Sequence, residues 1–264
     1  MQKEFDTNTT PSDFVWYELH TPDASSSATF YKGVLGWGTQ DSGQKDRKYT
    51  LVTVSNLPIG GLLEKPAASF TNGAKPGWMG YIGVADVNDS VKRLQQAGGI
   101  VHRAVEVIPG VGSFAVVADP QGAIFTLFQP PEKSQQQQKP APGTPGSAAW
   151  HDLAAIDWES DFAFYSGMFG WTKADAMPMG PAGVYQIFAT RDVPTGGMMT
   201  RMDASQSPGW FYYFNVEDIA AAVARATKQG GTLTHGPSEV PGGQQIAHFL
   251  DTQGAAFGMV GPAK

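Results

Sequence analysis

Cysteine is absent from the 264-residue chain, which excludes disulfides, thiolate metal sites and cysteine nucleophiles. No apolar run reaches the roughly 18 residues that a membrane-spanning helix needs. The first ten residues lack the apolar core of a signal peptide, so the sequence predicts a cytoplasmic protein. Basic runs are also missing and the formal charge is −6, which argues against nucleic acid as a partner, because its binding depends on neutralising phosphates. Small-molecule functions remain.

The main feature of the sequence is a long internal repeat. The stretch 16–37 returns at 150–171, and nine of the 22 aligned residues are identical. A second match starts at Trp78 and Trp210, and continues through the turns that begin at Asp119 and Asp251. Because the repeated segment is too long for a solenoid unit, the sequence predicts a duplicated domain.

The repeat sets the predicted domain boundaries at 11–131 and 148–264. Each half has about 120 residues, which is enough for a hydrophobic core. The segment 132–147 is rich in proline and glutamine and is predicted to be a flexible linker. We expect the two domains to pack on each other within one chain, and a homodimer is a further possibility.

Each half is predicted to contain a strand, a helix and three strands, repeated twice. Residues 14–20 alternate and are rich in β-forming residues, and Asp23 follows as a helix cap. Gly36 is expected to end this helix. The same order restarts at Trp78, so the predicted class is α+β, with two modules per domain.

Alternation along the first strand places Trp16, Glu18 and His20 on one face. In the second half the same positions carry Trp150, Asp152 and an alanine. Each strand face therefore combines an aromatic ring with a carboxylate.

The helix ending Phe30-Tyr31 to Gly36-Trp37, with the later Asp-x-x-Gly-x-x-Phe turn at 119–125, resembles the vicinal-oxygen-chelate superfamily. That superfamily includes glyoxalase I, extradiol dioxygenases and bleomycin-resistance proteins, and the tandem form is similar to its two-domain glyoxalase-like branch. The resemblance implies that two strand-helix-three-strand modules join into one incomplete barrel, with a ligand held in its cup.

The resemblance also implies where a metal would bind, namely at a His or Gln of a first strand and a Glu of a last strand. Alignment places Trp16, Trp150, Thr126 and Gly258 at these positions. None of these side chains is a plausible ligand for a divalent cation. We therefore predict a protein without a metal or another cofactor.

Glu18 and Asp152 are the candidate catalytic acids or bases, because a carboxylate in an apolar pocket has a raised pKa. The alternative is a structural carboxylate paired with an arginine or a backbone amide. His20 lies on the same face as Glu18. It could act as a partner of Glu18 in proton transfer, or the two side chains could bind a metal as two ligands. Trp16 and Trp150 are predicted either to stack on a ligand or to fill the barrel.

Gly61 and Gly197 lie within predicted strands, where glycine marks a bulge or a close approach of another group. They are candidate ligand contacts, with a bend of the barrel as the alternative.

The sequence thus favours a protein that binds a small, largely apolar molecule without metal. A glyoxalase-like lyase or isomerase, or a metal-dependent dioxygenase, that uses Glu18 or Asp152 is the alternative, and whether the protein is an enzyme stays open.

Overall fold

The computed structural model describes residues 12–44, 47–71, 74–131 and 138–264. Residues 132–137 of the predicted linker lie outside the described residues. Among the described residues, no helix is long and apolar enough to cross a membrane.

The described residues of the first half contain eight strands and two α-helices in the predicted order. They are β1 (Phe14–Thr21), α1 (Ala24–Leu35), β2 (Gly38–Asp41), β3 (Tyr49–Val54), β4 (Leu57–Glu64), β5 (Gly77–Gly83), α2 (Val87–Gln96), β6 (Ile100–Ile108), β7 (Gly112–Ala118) and β8 (Ile124–Gln129).

The second half repeats this order. Its elements are β9 (Ala148–Ala155), α3 (Trp158–Phe169), β10 (Thr172–Pro178), β11 (Val184–Thr190), β12 (Val193–Thr200), β13 (Gly209–Asn215), α4 (Ile219–Lys228), β14 (Thr232–Val240), β15 (Gln244–Leu250) and β16 (Ala256–Pro262). These elements form four modules, and each module consists of one α-helix, the strand before it and the three strands after it.

Local chemistry accounts for the helix ends. The Asp23 carboxylate accepts a hydrogen bond from the backbone N–H of Ser26, which satisfies one of the free donors at the start of α1. Gly36 ends α1 with a φ of 74°, a left-handed conformation that glycine adopts without steric cost. Asp157 and Gly170 bound α3 in the same way, as the repeat predicts.

Each half forms one eight-stranded mixed sheet. The strand orders are β2-β3-β4-β1-β5-β8-β7-β6 and β10-β11-β12-β9-β13-β16-β15-β14. In every module the first strand runs parallel to the last, with Glu18 opposite Gly61 in the first module and Asp152 opposite Gly197 in the third. Neither sheet closes, and the predicted α+β class with two tandem domains of an incomplete-barrel fold is confirmed.

Contacts divide the chain into two compact units, and each unit draws on both sequence halves. Unit 1 contains the described parts of Met1–Val15, Gly80–Gln135 and His151–Trp210, and unit 2 those of Trp16–Met79, Gln136–Trp150 and Phe211–Lys264. Unit 1 is thus built mainly from the second and third modules, and unit 2 from the first and fourth. The predicted boundaries at 131 and 148 mark the ends of the repeated segments. That they are also the limits of the domains stays a prediction.

Buried tyrosines join the two halves inside each unit. In unit 2, the Tyr31 hydroxyl donates to the Asp251 carboxylate at 3.1 Å. In unit 1, the Tyr165 hydroxyl donates to Asp119 at 2.9 Å. Both carboxylates begin the turn before the last strand of a module, and each also accepts backbone N–H groups of its own turn. These bonds explain why the Phe-Tyr pair and the Asp-x-x-Gly turn repeat together.

The tryptophans that follow α1 and α3 bond to the residues that precede the first strand of the other half. The Trp37 indole N–H donates to the Gly146 carbonyl at 2.8 Å in unit 2, and Trp171 donates to the Ser12 carbonyl at 2.7 Å in unit 1. Residues 138–147 form no helix or strand. The end of the predicted linker is nevertheless bonded into unit 2.

Candidate functional site

The face of β1 carries the predicted residues in the predicted orientation. Tyr17 and Leu19 are buried in the core of unit 2, while Trp16 and His20 on the other face stay partly accessible. The Glu18 side chain between them is only 10% exposed. The strand therefore presents a nearly buried carboxylate between an indole and an imidazole.

These side chains form one hydrogen-bonded chain. His20 Nε2 lies 2.7 Å from Glu18 Oε1, and the Lys65 ammonium lies 3.1 Å from His20 Nδ1. On the other side, the Tyr49 hydroxyl bonds to Glu18 and accepts the indole N–H of Trp16 at 2.9 Å.

The donors fix the direction of this chain. An ammonium group only donates, so Nδ1 of His20 must accept and its proton sits on Nε2. His20 and Tyr49 then both donate to Glu18, whose carboxylate only accepts. Burial raises the pKa of Tyr49 well above its usual value, with the negative charge of Glu18 adding to the effect. Tyr49 therefore stays a neutral donor, and Glu18 carries the negative charge of this hydrogen-bonded network.

The Tyr49 ring lies directly over Gly61. A Cβ atom at Gly61 would come within 2.2 Å of the tyrosine hydroxyl. The glycine thus allows the ring to cross the strand and reach Glu18, and a ligand on this face would meet the tyrosine before the glycine.

The third module repeats half of this arrangement. The Tyr185 hydroxyl donates to Asp152 at 2.5 Å, and the Tyr185 ring lies over Gly197, where a Cβ would come within 2.2 Å of the hydroxyl. Trp150 is on the same strand face by alternation and is partly accessible. The position of His20 is taken by Ala154, so the histidine branch of the chain is missing.

A different polar cluster lies on the fourth module. The Tyr213 hydroxyl and His248 Nε2 are 2.9 Å apart, and the ring of Phe211 packs 4.8 Å from that of His248. Burial and the neighbouring His235 lower the pKa of His248 to about 4, so its imidazole is neutral near pH 7.

A cavity of about 700 Å³ lies elsewhere in unit 2, between the start of α1 and the strands β2 and β3. It is lined by charged and polar side chains that include Asp41, Arg47, Lys48 and Glu64, and it shares Tyr49 with the β1 face. Lys48 and Glu64 are paired with each other. The cavity is open and is lined by four charged side chains, so the chemistry of the β1 face is the better guide to a site for an apolar ligand.

The residues do not fit the divalent metal centre that the resemblance implies. In the part of the chain that the structure describes, no group of three or more His, Asp or Glu side chains is placed to hold a metal ion. Glu18 and His20 bond to each other, and Lys65 occupies the second imidazole nitrogen. Opposite Glu18 and Asp152, the last strands carry only Gly61 and Gly197.

Two family models match the chain. The glyoxalase/bleomycin resistance protein/dioxygenase superfamily matches residues 149–259, and a glyoxalase-like domain matches residues 16–128. An anthracycline biosynthesis protein, DauV of Streptomyces sp. (strain C5), is 30% identical over 264 residues, which cover 95% of this chain and 93% of that protein. The chain belongs to the glyoxalase/bleomycin resistance/dioxygenase superfamily.

Another relative in this superfamily is a putative glyoxylase, CFP32, of Mycobacterium tuberculosis, 27% identical over 250 residues and 94% of each chain. Solved structures agree on the fold. The Mn(II)-bound glyoxalase from Novosphingobium aromaticivorans has a TM-score of 0.65 at 13% identity, covering 97% of this chain and 83% of that one. Homoprotocatechuate 2,3-dioxygenase from Arthrobacter globiformis has a TM-score of 0.67 at 14% identity, covering 98% and 84%. At these identities the likeness concerns the fold alone.

Sequence reasoning named Glu18, Asp152 and His20 but missed the tyrosines and the lysine bonded to them. The structure brings Trp16, Glu18 and His20 into one bonded chain through Tyr49 and Lys65. A signal for the missed residues existed, because Tyr49 and Lys65 recur as Tyr185 and Arg201 at the offset of 136 that relates Gly61 to Gly197. The roles of all the predicted site residues stay predictions.

Proposed function

We propose that this superfamily member binds a small, largely apolar molecule that carries a hydrogen-bonding group. The ligand lies on the strand faces that carry Glu18 and Asp152. The observation that carries the proposal is the pairing of each carboxylate with a tyrosine hydroxyl beside a partly accessible tryptophan on the same strand face. A mostly apolar surface with a few directed polar groups is typical of small-molecule sites.

The aromatic side chains favour a flat ligand. Trp16 and Tyr49 offer ring surfaces next to Glu18, and aromatic rings prefer offset or edge-to-face contact with another ring. Members of the superfamily bind small molecules, and the similarity to proteins named for anthracycline biosynthesis supports a fused-ring aromatic compound as the ligand class. Glu18 would accept a proton or a hydrogen bond from a phenol or enol of such a compound.

Proton transfer is a second candidate function, and the chain from Lys65 through His20 to Glu18 favours it. Glu18 is held as the acceptor and could take a proton from a bound ligand. Glu18, protonated in that step, could return the proton to a second position of the ligand, while the N–H of His20, which is itself held by Lys65, keeps its bond to the carboxyl group. This would suit a lyase or isomerase, which removes a proton at one position and returns one at another.

A metal-dependent reaction is not part of the proposal, because the donor set at the first and last strands does not fit a divalent cation. We expect protein purified without chelator to contain no stoichiometric transition metal by elemental analysis. One tightly held metal per domain that is lost in Glu18→Gln or Asp152→Asn would contradict this expectation.

Isothermal titration calorimetry with 1-naphthol, a flat phenol, tests the binding proposal. Wild-type protein should bind it, and Glu18→Gln and Asp152→Asn should each weaken binding about tenfold, the equivalent of one lost hydrogen bond of about 1.4 kcal/mol. Naphthalene, which lacks the hydroxyl, should bind wild type and variants alike. An equal affinity of wild type and both variants for 1-naphthol would contradict the proposal.

A further inference from the structure

Arg201 occupies in the third module the place that Lys65 occupies in the first. The backbone N–H of Lys65 donates to the carbonyl of Thr21 at 2.9 Å, and that of Arg201 donates to the carbonyl of Ala155 at 2.8 Å. Thr21 and Ala155 are the last residues of β1 and β9. The two cationic side chains therefore start from equivalent positions beside the strands that carry Glu18 and Asp152.

The register of β12 indicates on which face Arg201 begins. Gly197 lies opposite Asp152 and Met199 opposite Ala154, so these positions share the face of β9 that carries the carboxylate. Arg201 is one residue beyond the end of β12 at Thr200, and continued alternation assigns it to the same face. In the first module the corresponding lysine reaches His20 on that face.

The two cations differ in whether the chain supplies an acceptor. Lys65 donates to Nδ1 of His20, whereas the residue at the position of His20 in the third module is Ala154, whose side chain has no polar atom. Nη2 of Arg201 donates to the carbonyl of Ala204 at 3.2 Å. Nε and Nη1 are buried and have no hydrogen-bond partner among the described residues.

Buried donors without acceptors are rare in folded proteins, and they are most costly when the group is charged. Asp203 is the carboxylate whose charge interacts with Arg201, but it is fully exposed and its pKa is lowered mainly by bonds from Ser205. It does not satisfy Nε or Nη1. The arrangement leaves a cation with two unsatisfied nitrogens, on a side chain that starts from the position from which Lys65 reaches His20 in the first module.

We propose that Arg201 forms a subsite at the position of Ala154 for a negatively charged oxygen of the ligand, in the first instance a carboxylate. Guanidinium N–H groups match carboxylate oxygens in charge and geometry. The inference deepens the proposed function, on which it rests, by naming an aromatic acid as the ligand class for the third module. It also gives the two halves different preferences, because the corresponding cation of the first module is already bonded to His20.

Calorimetry with 2-naphthoate and 2-naphthamide tests the subsite, since the two probes have nearly the same shape and differ in charge. Wild-type protein should bind the carboxylate about tenfold more tightly than the amide. Arg201→Gln should abolish this preference and leave the affinity for the amide unchanged. Lys228→Gln, which removes an exposed cation of α4, is the control and should keep the preference.

Ala154→His is a second variant that does not remove the arginine. It places an acceptor where the first module has one, so the preference should fall while the melting temperature is maintained or rises. Equal binding of both probes to wild type, or a preference that survives in both Arg201→Gln and Ala154→His, would overturn the subsite and leave the proposed function standing. If neither probe nor 1-naphthol binds wild type, the proposed function fails as well.

Discussion

Single residues decide how the two repeated strand faces differ. Glu18 is bonded by His20 and Tyr49, whereas Asp152 is bonded by Tyr185 and Ala154 stands at the position of the histidine. Duplication preserved the carboxylate and the tyrosine while one imidazole was exchanged for a methyl group. The chemistry of each face is therefore set by very few substitutions.

Gly61→Ala should destabilise the protein by about 1–3 kcal/mol, the usual cost of overpacking. The new methyl group would lie 2.2 Å from the Tyr49 hydroxyl, which is held by Trp16 and Glu18 and cannot move without losing those bonds. Gly77→Ala is the matched control, because a Cβ there meets nothing within 4 Å. Urea unfolding measures both, and equal midpoints for the two variants would refute the packing argument.

Asp161 should make stability depend on pH. Both of its carboxyl oxygens are buried without a hydrogen-bond partner among the described residues. Burial raises its pKa from 3.8 to about 8, and the charges of Asp119 and Asp157 add to the shift. The unfolded chain releases this proton above about pH 4, whereas the folded protein holds it until about pH 8, so the contribution of Asp161 to stability falls across that window.

Asp161→Ala should therefore be more stable than wild type by about 1–3 kcal/mol at pH 8, and by much less at pH 4. Ser27 is the equivalent residue of α1, and its hydroxyl bonds to that of Thr21 at 2.9 Å. Ser27→Ala is the control and should be less stable than wild type, because it loses a satisfied bond. A stability difference between Asp161→Ala and wild type that does not change from pH 4 to pH 8 would contradict the assignment.

Residue identity alone predicted the carboxylates but not this buried acid. Ser27 aligns with Asp161 and Thr21 with Ala155, yet nothing in the sequence shows that Ser27 bonds to Thr21 and that Asp161 therefore lacks this partner. Tyr49 and Lys65 were missed for a similar reason, since their roles depend on contacts between strands rather than on spacing within one strand.

The positions and ends of the secondary-structure elements were the most predictable feature of the structure. Alternation gave the correct faces of β1, and the Asp and Gly signals gave the ends of α1 and α3, because both depend on neighbouring residues along the chain. Packing between helices was not predictable in this way. Arg225 of α4 donates from Nε and Nη2 to the carbonyl of Val34 near the end of α1, at 3.3 and 3.2 Å.

Arg225→Met should lower the free energy of unfolding by about 1 kcal/mol, because it keeps the apolar stem but leaves a carbonyl at the end of α1 without its donor. Lys228→Met in the same helix is the control, with an expected change within about 0.5 kcal/mol. Chemical denaturation compares them, and a loss in Lys228→Met as large as that in Arg225→Met would argue against the capping role.

At the level of the whole molecule, the repeat predicted the duplication but not how the segments combine. Each compact unit uses modules of both halves, and long-range bonds such as Tyr31 to Asp251 and Tyr165 to Asp119 join them. The Tyr31–Asp251 bond joins positions more than a hundred residues apart, and the Tyr165–Asp119 bond joins residues on either side of the predicted linker. Local sequence patterns carry no information about them.

Limited proteolysis should cut first within 132–147, as its proline- and glutamine-rich composition predicts. The two fragments should stay together in native size-exclusion chromatography, because each unit contains residues of both. They should separate in denaturant. Elution as two independent fragments of half the mass under native conditions would contradict the shared cores.

The central claim is that a flat, largely apolar ligand binds on the faces of Glu18 and Asp152. A crystal structure of the complex with 1-naphthol tests it most directly. The account predicts the ring against Trp16 and Tyr49 or the corresponding face of β9, with the ligand hydroxyl within about 3 Å of a carboxylate oxygen. Density for the ligand only in the polar cavity beside Arg47 and Lys48, with both carboxylate faces unchanged, would contradict it.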